Sequence, residues 1–179
     1  MRRITLVDYD PTWPENFHDI ARELRHVFGD GASRMDHIGS TSVPGLAAKP
    51  VIDIQVSVAT LSDDEPWRSA LVAAGWEWDA SNIDRTKRFF VLKSVPAAQV
   101  HVREAGSLTE QLALVFRDYL REHRDAALRY EAFKKTLGMR MWQDGNEYAD
   151  AKTEIVWPLT LEATRWAMLS GWRPGPTDA

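Results

Sequence analysis

The sequence predicts one domain of the α+β class, with a mixed β-sheet, flanking helices and a helical C-terminal third. Strand-like and helical patterns are interspersed up to about residue 105, and helical patterns alone follow. With 179 residues and 44% hydrophobic content, the chain can form one substantial core. We therefore expect a single domain over 1–172 and a flexible tail over 173–179, where Pro and Gly recur and nothing needs burial.

The first predicted helix covers about 13–28 and follows a short β-branched run at 3–7. Thr12 and Glu15 have the spacing of a capping box, and Gly29 is a plausible C-terminal stop. The apolar residues of this helix recur at helical spacing and predict a buried stripe: Phe17, Ile20, Ala21, Leu24 and Phe28.

A second element at about 33–38 leads into the loop 39–50, which is dense in Gly, Ser, Thr and Pro. Loops of this length without regular structure are often functional. The strand 51–58 that follows alternates with period two. Its predicted core face carries Ile52, Ile54, Val56 and Val58, and its polar face carries Val51, Asp53, Gln55 and Ser57.

A second helix is predicted after Ser62 and Glu65, which again have capping-box spacing. Strand-like segments follow near 76–78, 87–92 and 99–103. The last two are separated by six residues, so an antiparallel hairpin is the simplest connection. On the second strand of this hairpin, His101 shares a face with Gln99 and Arg103.

The rest of the chain predicts helices. Ser107 and Glu110 form a third possible capping box, and a break is expected near 123–125. Asn146 can cap a later helix, and Pro158 either kinks that helix or starts a new one.

Composition limits the classes of function. The formal net charge is -4 and the pI is about 5.7, which gives no general attraction for nucleic acid. The chain has no cysteine, which excludes disulfides and thiolate metal sites and fits a cytoplasmic protein. No segment has the roughly 18 consecutive apolar residues of a membrane helix, so no membrane partner is expected.

The loop and its following strand carry the strongest functional signal. Nucleotidyl transfer needs small residues and backbone amides for phosphates, and carboxylates for a divalent cation. Ile38-Gly39-Ser40, twelve residues, then Asp53-Ile54-Gln55-Val56 resembles the motif of the nucleotidyltransferase-fold superfamily. Gln55 departs from that motif, because the superfamily has a second metal-binding acid there. An amide oxygen is a neutral and weaker ligand for a hard cation.

The chain as a whole resembles the GrpB family (UPF0157-like) of that superfamily. The resemblance covers nearly the whole sequence and is carried by HIGSTSVPGLAAKPVIDI at 37–54, His101-Val102, FRDYLREH at 116–123, and Tyr9, Pro11, Trp13, Phe17, Tyr130, Lys134, Tyr148 and Lys152. It implies a nucleotidyltransferase-like mixed sheet and a helical C-terminal third. Because some members are fused to dephospho-coenzyme A kinase, it also implies a possible association with that enzyme.

On this basis the sequence predicts a Mg²⁺-dependent nucleotidyltransferase with an unknown acceptor. Asp53 is the predicted metal ligand and, with His101, the predicted catalytic residue. The predicted ligand-binding residues are Gly39, Ser40, Thr41, Ser42, Lys49, Gln55, Arg117, Tyr148 and Lys152; Lys134 could add positive charge. The alternative is a noncatalytic module that binds a nucleotide or another phosphorylated small molecule, for which the resemblance implies a link to coenzyme A biosynthesis.

Each of these side chains also has an ordinary structural interpretation. Asp53 could belong to a structural ion pair, and His101 could be merely hydrogen-bonded. Lys152 could pair with Glu147 or Asp150 on a solvated helix face, while His37 could only brace the loop. A third hypothesis, that the domain serves mainly as an interaction partner of another enzyme, rests on the fusions alone.

Overall fold

The computed structural model describes residue 1 and residues 3–179. Within these residues the chain forms five strands and six α-helices. The strands are β1 Ala32–Ile38, β2 Ile52–Val58, β3 Glu77–Trp78, β4 Lys87–Leu92 and β5 Ala98–Glu104. The helices are α1 Trp13–Phe28, α2 Glu65–Ala73, α3 Leu108–Glu122, α4 Arg124–Gly138, α5 Gly145–Ala151 and α6 Thr153–Ser170. None of the helices in the described part of the chain is long and apolar enough to span a membrane.

The strands form one mixed sheet in the order β1-β2-β5-β4-β3. β2 pairs with β1 in antiparallel and with β5 in parallel orientation. β4 pairs in antiparallel orientation with β5, as the predicted hairpin requires, and also with β3. The predicted α+β class, with flanking helices and a helical C-terminal third, is confirmed.

The alternation of β2 gives the sheet two different faces. On one face Ile52, Ile54 and Val56 pack in a core cluster with apolar residues of α1 and α2. Full burial of each such side chain contributes roughly 1.5–3 kcal/mol to stability. The other face of β2 carries Asp53, Gln55 and Ser57, and Glu110 of α3 covers its middle. The predicted division of the strand into a core face and a polar face is confirmed.

A second core cluster joins the helical third to the loop. Val43 and Leu46 of the loop pack there with Val115 and Leu120 of α3 and with Leu159 of α6. The loop 39–50 is therefore held from outside the sheet by helices that come much later in the chain.

Some of the local expectations were wrong. The Thr12 hydroxyl donates to Asp10 instead of capping α1. Asp144, and not Asn146, caps α5, because its carboxylate accepts from the amides of Asn146 and Glu147. The Ser107 cap of α3 is confirmed, since its hydroxyl accepts from the Glu110 amide. Spacing alone does not decide these caps, because the side chains of Ser, Thr, Asn and Asp can also bond to other nearby groups.

The segment 173–179 lies along the outer edge of β1. Thr177 Oγ1 accepts from Met35 N at 2.9 Å, and Ala179 N donates to Met35 O at 3.1 Å. Asp178 Oδ2 accepts from His37 N at 2.9 Å. These bonds satisfy backbone groups that an edge strand otherwise leaves to solvent. The segment thus makes specific hydrogen bonds although most of its residues are exposed. Its flexibility and its separation from a domain at 1–172 stay predictions.

Candidate functional site

Asp53 and Gly39 meet where the loop enters the sheet. Asp53 lies on the polar face of β2, opposite Ile38 of β1, and its side chain is 27% exposed. Gly39 has φ +70° and ψ -172°, a conformation that essentially only glycine adopts. A Cβ at this position would collide with the Asp53 carboxylate. The glycine therefore lets the loop backbone pass directly beside the acid.

The loop is stiffened by its own side chains. Thr41 Oγ1 lies 3.0 Å from His37 Nε2 and donates to Val51 O at 3.3 Å. Ser42 Oγ donates to Gly39 O at 2.6 Å. Burial lowers the pKa of His37 to about 3, so the ring is neutral near pH 7. Thr41 and Ser42 are buried and shape the loop, and His37 braces it.

Lys134 of α4 reaches into the loop. Its Nζ donates to Ser40 Oγ at 2.9 Å and to Ala47 O at 2.6 Å, while only 2% of the residue is exposed. Burial, reinforced by the positive charge of Lys152, lowers the pKa of Lys134 to about 7. The loop therefore holds an amine that changes charge near neutral pH.

Lys152 supplies a second cation on the same side. It is half-buried, and its Nζ lies 5.2 Å from the centre of the Tyr148 ring. Its pKa is raised, first by Tyr130 and also by the Asp53 carboxylate. Lys152 thus lies over the Tyr148 ring and close enough to Asp53 to interact with its charge, while its place in an anion-binding cleft stays a prediction.

His101 of β5 lies on the opposite side of Asp53. Its Nε2 is 3.6 Å from Asp53 Oδ1. Burial lowers the pKa of His101 to about 4, although Asp53 opposes this shift. The ring is therefore neutral near pH 7. Its buried Nδ1 has no hydrogen-bond partner among the described residues.

Gln55 stands where the superfamily motif has its second acid, and both polar atoms of its amide are hydrogen-bonded. Gln55 Oε1 accepts from a terminal nitrogen of Arg103 at 2.7 Å, and Gln55 Nε2 donates to Glu110 O at 3.3 Å. The amide oxygen is therefore already used by a cation. Glu104 is also engaged elsewhere, because its Oε1 accepts from Leu61 N at 2.9 Å.

These contacts limit how many divalent cations the residues around Asp53 can hold. The described part of the chain has no group of three or more His, Asp or Glu side chains placed to hold a metal ion. Asp53 is the carboxylate directly beside Gly39. Glu131 also contacts the loop, but it accepts from Ala47 N and pairs with Lys135. Gln55 faces Arg103 instead of a cation-binding position. The residues fit a single divalent cation that shares its ligands with phosphates, and not a pair of cations.

Arg117 does not join this cleft. It is 3% exposed and lies 3.5 Å from Asp36 and 2.8 Å from Asp178. It also donates to Asp118 and to His37 O. The guanidinium is occupied by a buried ion cluster behind β1, where it supports the strand that leads into the loop.

The structure thus brings together most of the predicted residues, and three-dimensional contact adds others. Gly39 and His101 lie directly beside Asp53, and Ser40 follows Gly39 and binds Lys134. Lys49 and Lys152 are half-buried, and Tyr148 packs in a core cluster with Leu137 and Trp142 and contacts Lys152. The sequence-based set omitted Lys87 and Arg103. The predicted hairpin already placed Arg103 on the face of His101, so strand alternation could have identified it.

Comparison with known proteins gives a consistent assignment. The model of a protein family described as GrpB protein matches residues 3–161. A UPF0157 protein of Streptomyces coelicolor is 39% identical over 153 residues, which cover 86% of this chain and 80% of that protein. The crystal structure of conserved protein GrpB from Enterococcus faecalis matches with a TM-score of 0.83 and 28% identity, over 92% of this chain and 99% of that one.

Two further similarities are partial. A dephospho-CoA kinase of Mycolicibacterium paratuberculosis is 32% identical over 197 residues, which cover 96% of this chain but 48% of that enzyme. An RNA terminal U-transferase structure aligns with a TM-score of 0.49 and 14% identity, over 72% of this chain and 40% of that one. A likeness as weak as the second supports no conclusion about activity.

Proposed function

This chain belongs to the GrpB family, and from that premise we propose that the cleft around Asp53 binds a nucleotide or another phosphorylated small molecule. The observation that carries the proposal is the contact of Lys134 Nζ with Ser40 Oγ and Ala47 O, which places a buried amine against the loop beside Asp53. Glu131 and Asp53 already favour the charged form of this amine, but burial and Lys152 still lower its pKa to about 7, so a bound anion would stabilise the ammonium further.

The geometry provides complementary groups for phosphates. The Gly39 backbone passes directly beside the carboxylate, and Ser40 offers a hydroxyl next to Lys134. Lys152 adds positive charge from the helical side. Phosphates bound there would raise the pKa of Lys134 and restore its charge, because an adjacent anion favours the ammonium form.

Magnesium belongs to the proposal as a companion of the phosphates. Asp53 is the residue that would hold it, with phosphate oxygens as the other ligands. Bound in this way, the cation supplies charge neutralisation for the phosphates.

Calorimetric titration with ATP, with and without Mg²⁺, tests the proposal. We expect binding by the unmodified chain and a loss of about tenfold or more in affinity for Lys134→Gln, because a charged hydrogen bond contributes roughly 1.5–3 kcal/mol. Lys135→Gln is the matched control, since Lys135 is the exposed neighbour that pairs with Glu131. Equal affinity of the two variants would refute the role of Lys134, and no binding of any nucleotide or phosphorylated metabolite would refute the function.

Nucleotidyl transfer is the second candidate, and the placement of His101 favours it. The His101 ring is neutral and lies 3.6 Å from the Asp53 carboxylate, so either group can accept a proton. In this reaction an acceptor oxygen forms a bond to the α-phosphorus of a nucleoside triphosphate. The bond to the leaving pyrophosphate breaks, and the acceptor proton passes to His101 or Asp53.

Pyrophosphate release separates transfer from binding. We expect release only in the presence of an acceptor and expect Asp53→Asn to abolish it, whereas Asp63→Asn, at an exposed position after β2, leaves it unchanged. ATP binding without release across a broad acceptor panel would leave the binding module as the function.

Association with dephospho-coenzyme A kinase, and with it a cytoplasmic location, forms a separate part of the proposal. It is supported by relatives of that name in which a region like this chain makes up about half of the protein. Co-purification of the two separate proteins would test it, and their independent elution at micromolar concentration would count against it.

A further inference from the structure

A second cationic surface lies on the sheet side of Asp53. It consists of Lys87 of β4 and Arg103 of β5, called here the Lys87–Arg103 pair, which are direct cross-strand partners. Both residues are half-buried, and the Lys87 side chain is 18% exposed. Like charges directly opposite each other destabilise an antiparallel pair of strands. The stability of the sheet therefore gives no reason for this pair.

The pair is poorly neutralised by its surroundings. Among the described residues Lys87 has one carboxylate within 4 Å, that of Asp84, at the long distance of 3.7 Å. Within the described residues no carboxylate lies within 4 Å of the Arg103 guanidinium, which donates to the neutral Gln55 amide. Arg103 Nε is buried and has no hydrogen-bond partner in the same part of the chain. A buried donor without a partner costs about 1–3 kcal/mol, so this surface is better suited to an added oxyanion than to its present contacts.

The pair shares the face and the neighbourhood of Asp53. Along β5, His101 lies level with Gln55 and Arg103 lies level with Ser57, so His101 separates Arg103 from Asp53. Burial lowers the pKa of Lys87 and Arg103, and the Asp53 carboxylate partly opposes both shifts. The Asp53 carboxylate also acts to raise the pKa of Lys134 and Lys152, which lie on the helical side. Asp53 therefore interacts with cations on both the sheet side and the helical side.

We propose that the Lys87–Arg103 pair binds the anionic group, a carboxylate or a phosphate, of a second small molecule, next to the nucleotide held by the loop. The assignment of the loop side to the nucleotide rests on the proposed function. The guanidinium fork and the ammonium group suit an oxyanion, and His101 lies between this anion and Asp53. The second ligand is thus an acidic metabolite whose reacting end lies beside His101.

The test is calorimetric titration of the full chain with inorganic phosphate and, separately, with citrate, in the absence and presence of a saturating nonhydrolysable ATP analogue. We expect one or both anions to bind beside the analogue, and the comparison of the two identifies the preferred oxyanion. Arg103→Gln and Lys87→Gln should each weaken anion binding about tenfold and leave affinity for the analogue within about twofold. Arg85→Gln, an exposed arginine just before β4, is the matched control.

The outcomes separate this inference from the proposed function. If the analogue and all other nucleotides and phosphorylated metabolites tested fail to bind at the loop but anion binding still depends on Arg103, the proposed function fails and the second site stands. If neither anion binds, if both variants bind anions like the Arg85→Gln control, or if they lose anion and analogue affinity equally, the second site is refuted. Should the variants not fold, titration of the unmodified chain with phosphate or with citrate must shift the NMR signals of the His101 ring, and the absence of a shift with both anions would also refute it.

Discussion

Lys134 Nζ donates to Ser40 Oγ at 2.9 Å across 94 positions of sequence, which ties α4 to the loop beside Asp53. Because burial lowers the pKa of Lys134 from its ordinary value of 10.5 to about 7, its charge changes near neutral pH. The charged form attracts phosphate, so the Lys134 contribution to ATP affinity should be present below about pH 7 and should fall as pH rises through it. Calorimetry from pH 6 to 9 measures this decline.

Lys134→Met is the reference for that experiment. The variant lacks the titrating amine, while the ionisation of ATP is the same in both titrations. The ratio of the ATP affinity of the unmodified chain to that of Lys134→Met therefore measures the contribution of Lys134 alone. His37 and His101 have pKa values of about 3 and 4 and do not change charge in this range. A ratio that stays constant from pH 6 to 9 would contradict the prediction.

Without ligand, the same shift makes stability depend on pH. The unfolded chain binds one more proton at Lys134 than the folded chain between about pH 7 and pH 10. The free energy of unfolding contributed by Lys134 should therefore rise with pH over this window. Urea denaturation at several pH values should show a smaller rise for Lys134→Met than for the unmodified chain, and identical pH dependence would be evidence against a buried, depressed amine.

Gly39→Ala should be markedly destabilising. The substitution combines backbone strain at φ +70° with a collision against the Asp53 carboxylate, and backbone strain of this kind alone costs about 1–3 kcal/mol. Gly29→Ala is the control, because Gly29 also has positive φ, at +52°, but its Cβ would meet nothing within 4 Å. Urea denaturation should show a larger loss for Gly39→Ala, and equal losses would mean that Asp53 moves aside freely.

Asp178→Asn should loosen the strand that leads into the loop. Asp178 Oδ2 accepts from Arg117 at 2.8 Å and from the His37 amide at 2.9 Å, and Arg117 is almost fully buried. Weakening a charged contact to a buried guanidinium should lower the free energy of unfolding by about 1–3 kcal/mol. Exposed Asp30 provides the control variant Asp30→Asn. Amide hydrogen exchange at Met35 and His37 should also accelerate, and unchanged protection would argue that the tail contributes nothing.

The substitution Gln55→Glu, which supplies the second acid of the superfamily motif, should not by itself create a metal site. In Gln55→Glu the new carboxylate would meet Arg103, which already donates to Gln55 at 2.7 Å, and an ion pair would form. We expect no increase in the stabilisation that Mg²⁺ gives to the ATP complex, as measured by thermal unfolding. Gln55→Glu combined with Arg103→Gln should show such an increase. An increase in the single variant would contradict the view that Arg103 controls this position.

Local sequence patterns predicted much of the fold. The alternation of β2 correctly assigned its two faces, and the bounds 13–28 and 87–92 agree with α1 and β4. Helix caps were predicted less well, because Thr12 donates to Asp10 and makes no cap bond, and α5 begins two residues earlier than expected, with Asp144 as its cap. Periodicity reports which residues face the same side, whereas a cap depends on which of several nearby acceptors has the better geometry.

The sequence by itself determined the Gly- and Ser-rich loop 39–50, the strand bearing Asp53, and the amide in place of an acid at Gln55, because these features lie within about twenty consecutive residues. Tertiary structure alone decided that Arg103 occupies the Gln55 oxygen, that Lys134 closes on Ser40, and that Arg117 is enclosed by Asp36 and Asp178. Each of the last three contacts joins residues at least 48 positions apart. Such contacts depend on how strands and helices pack, and local periodicity carries no information about that packing.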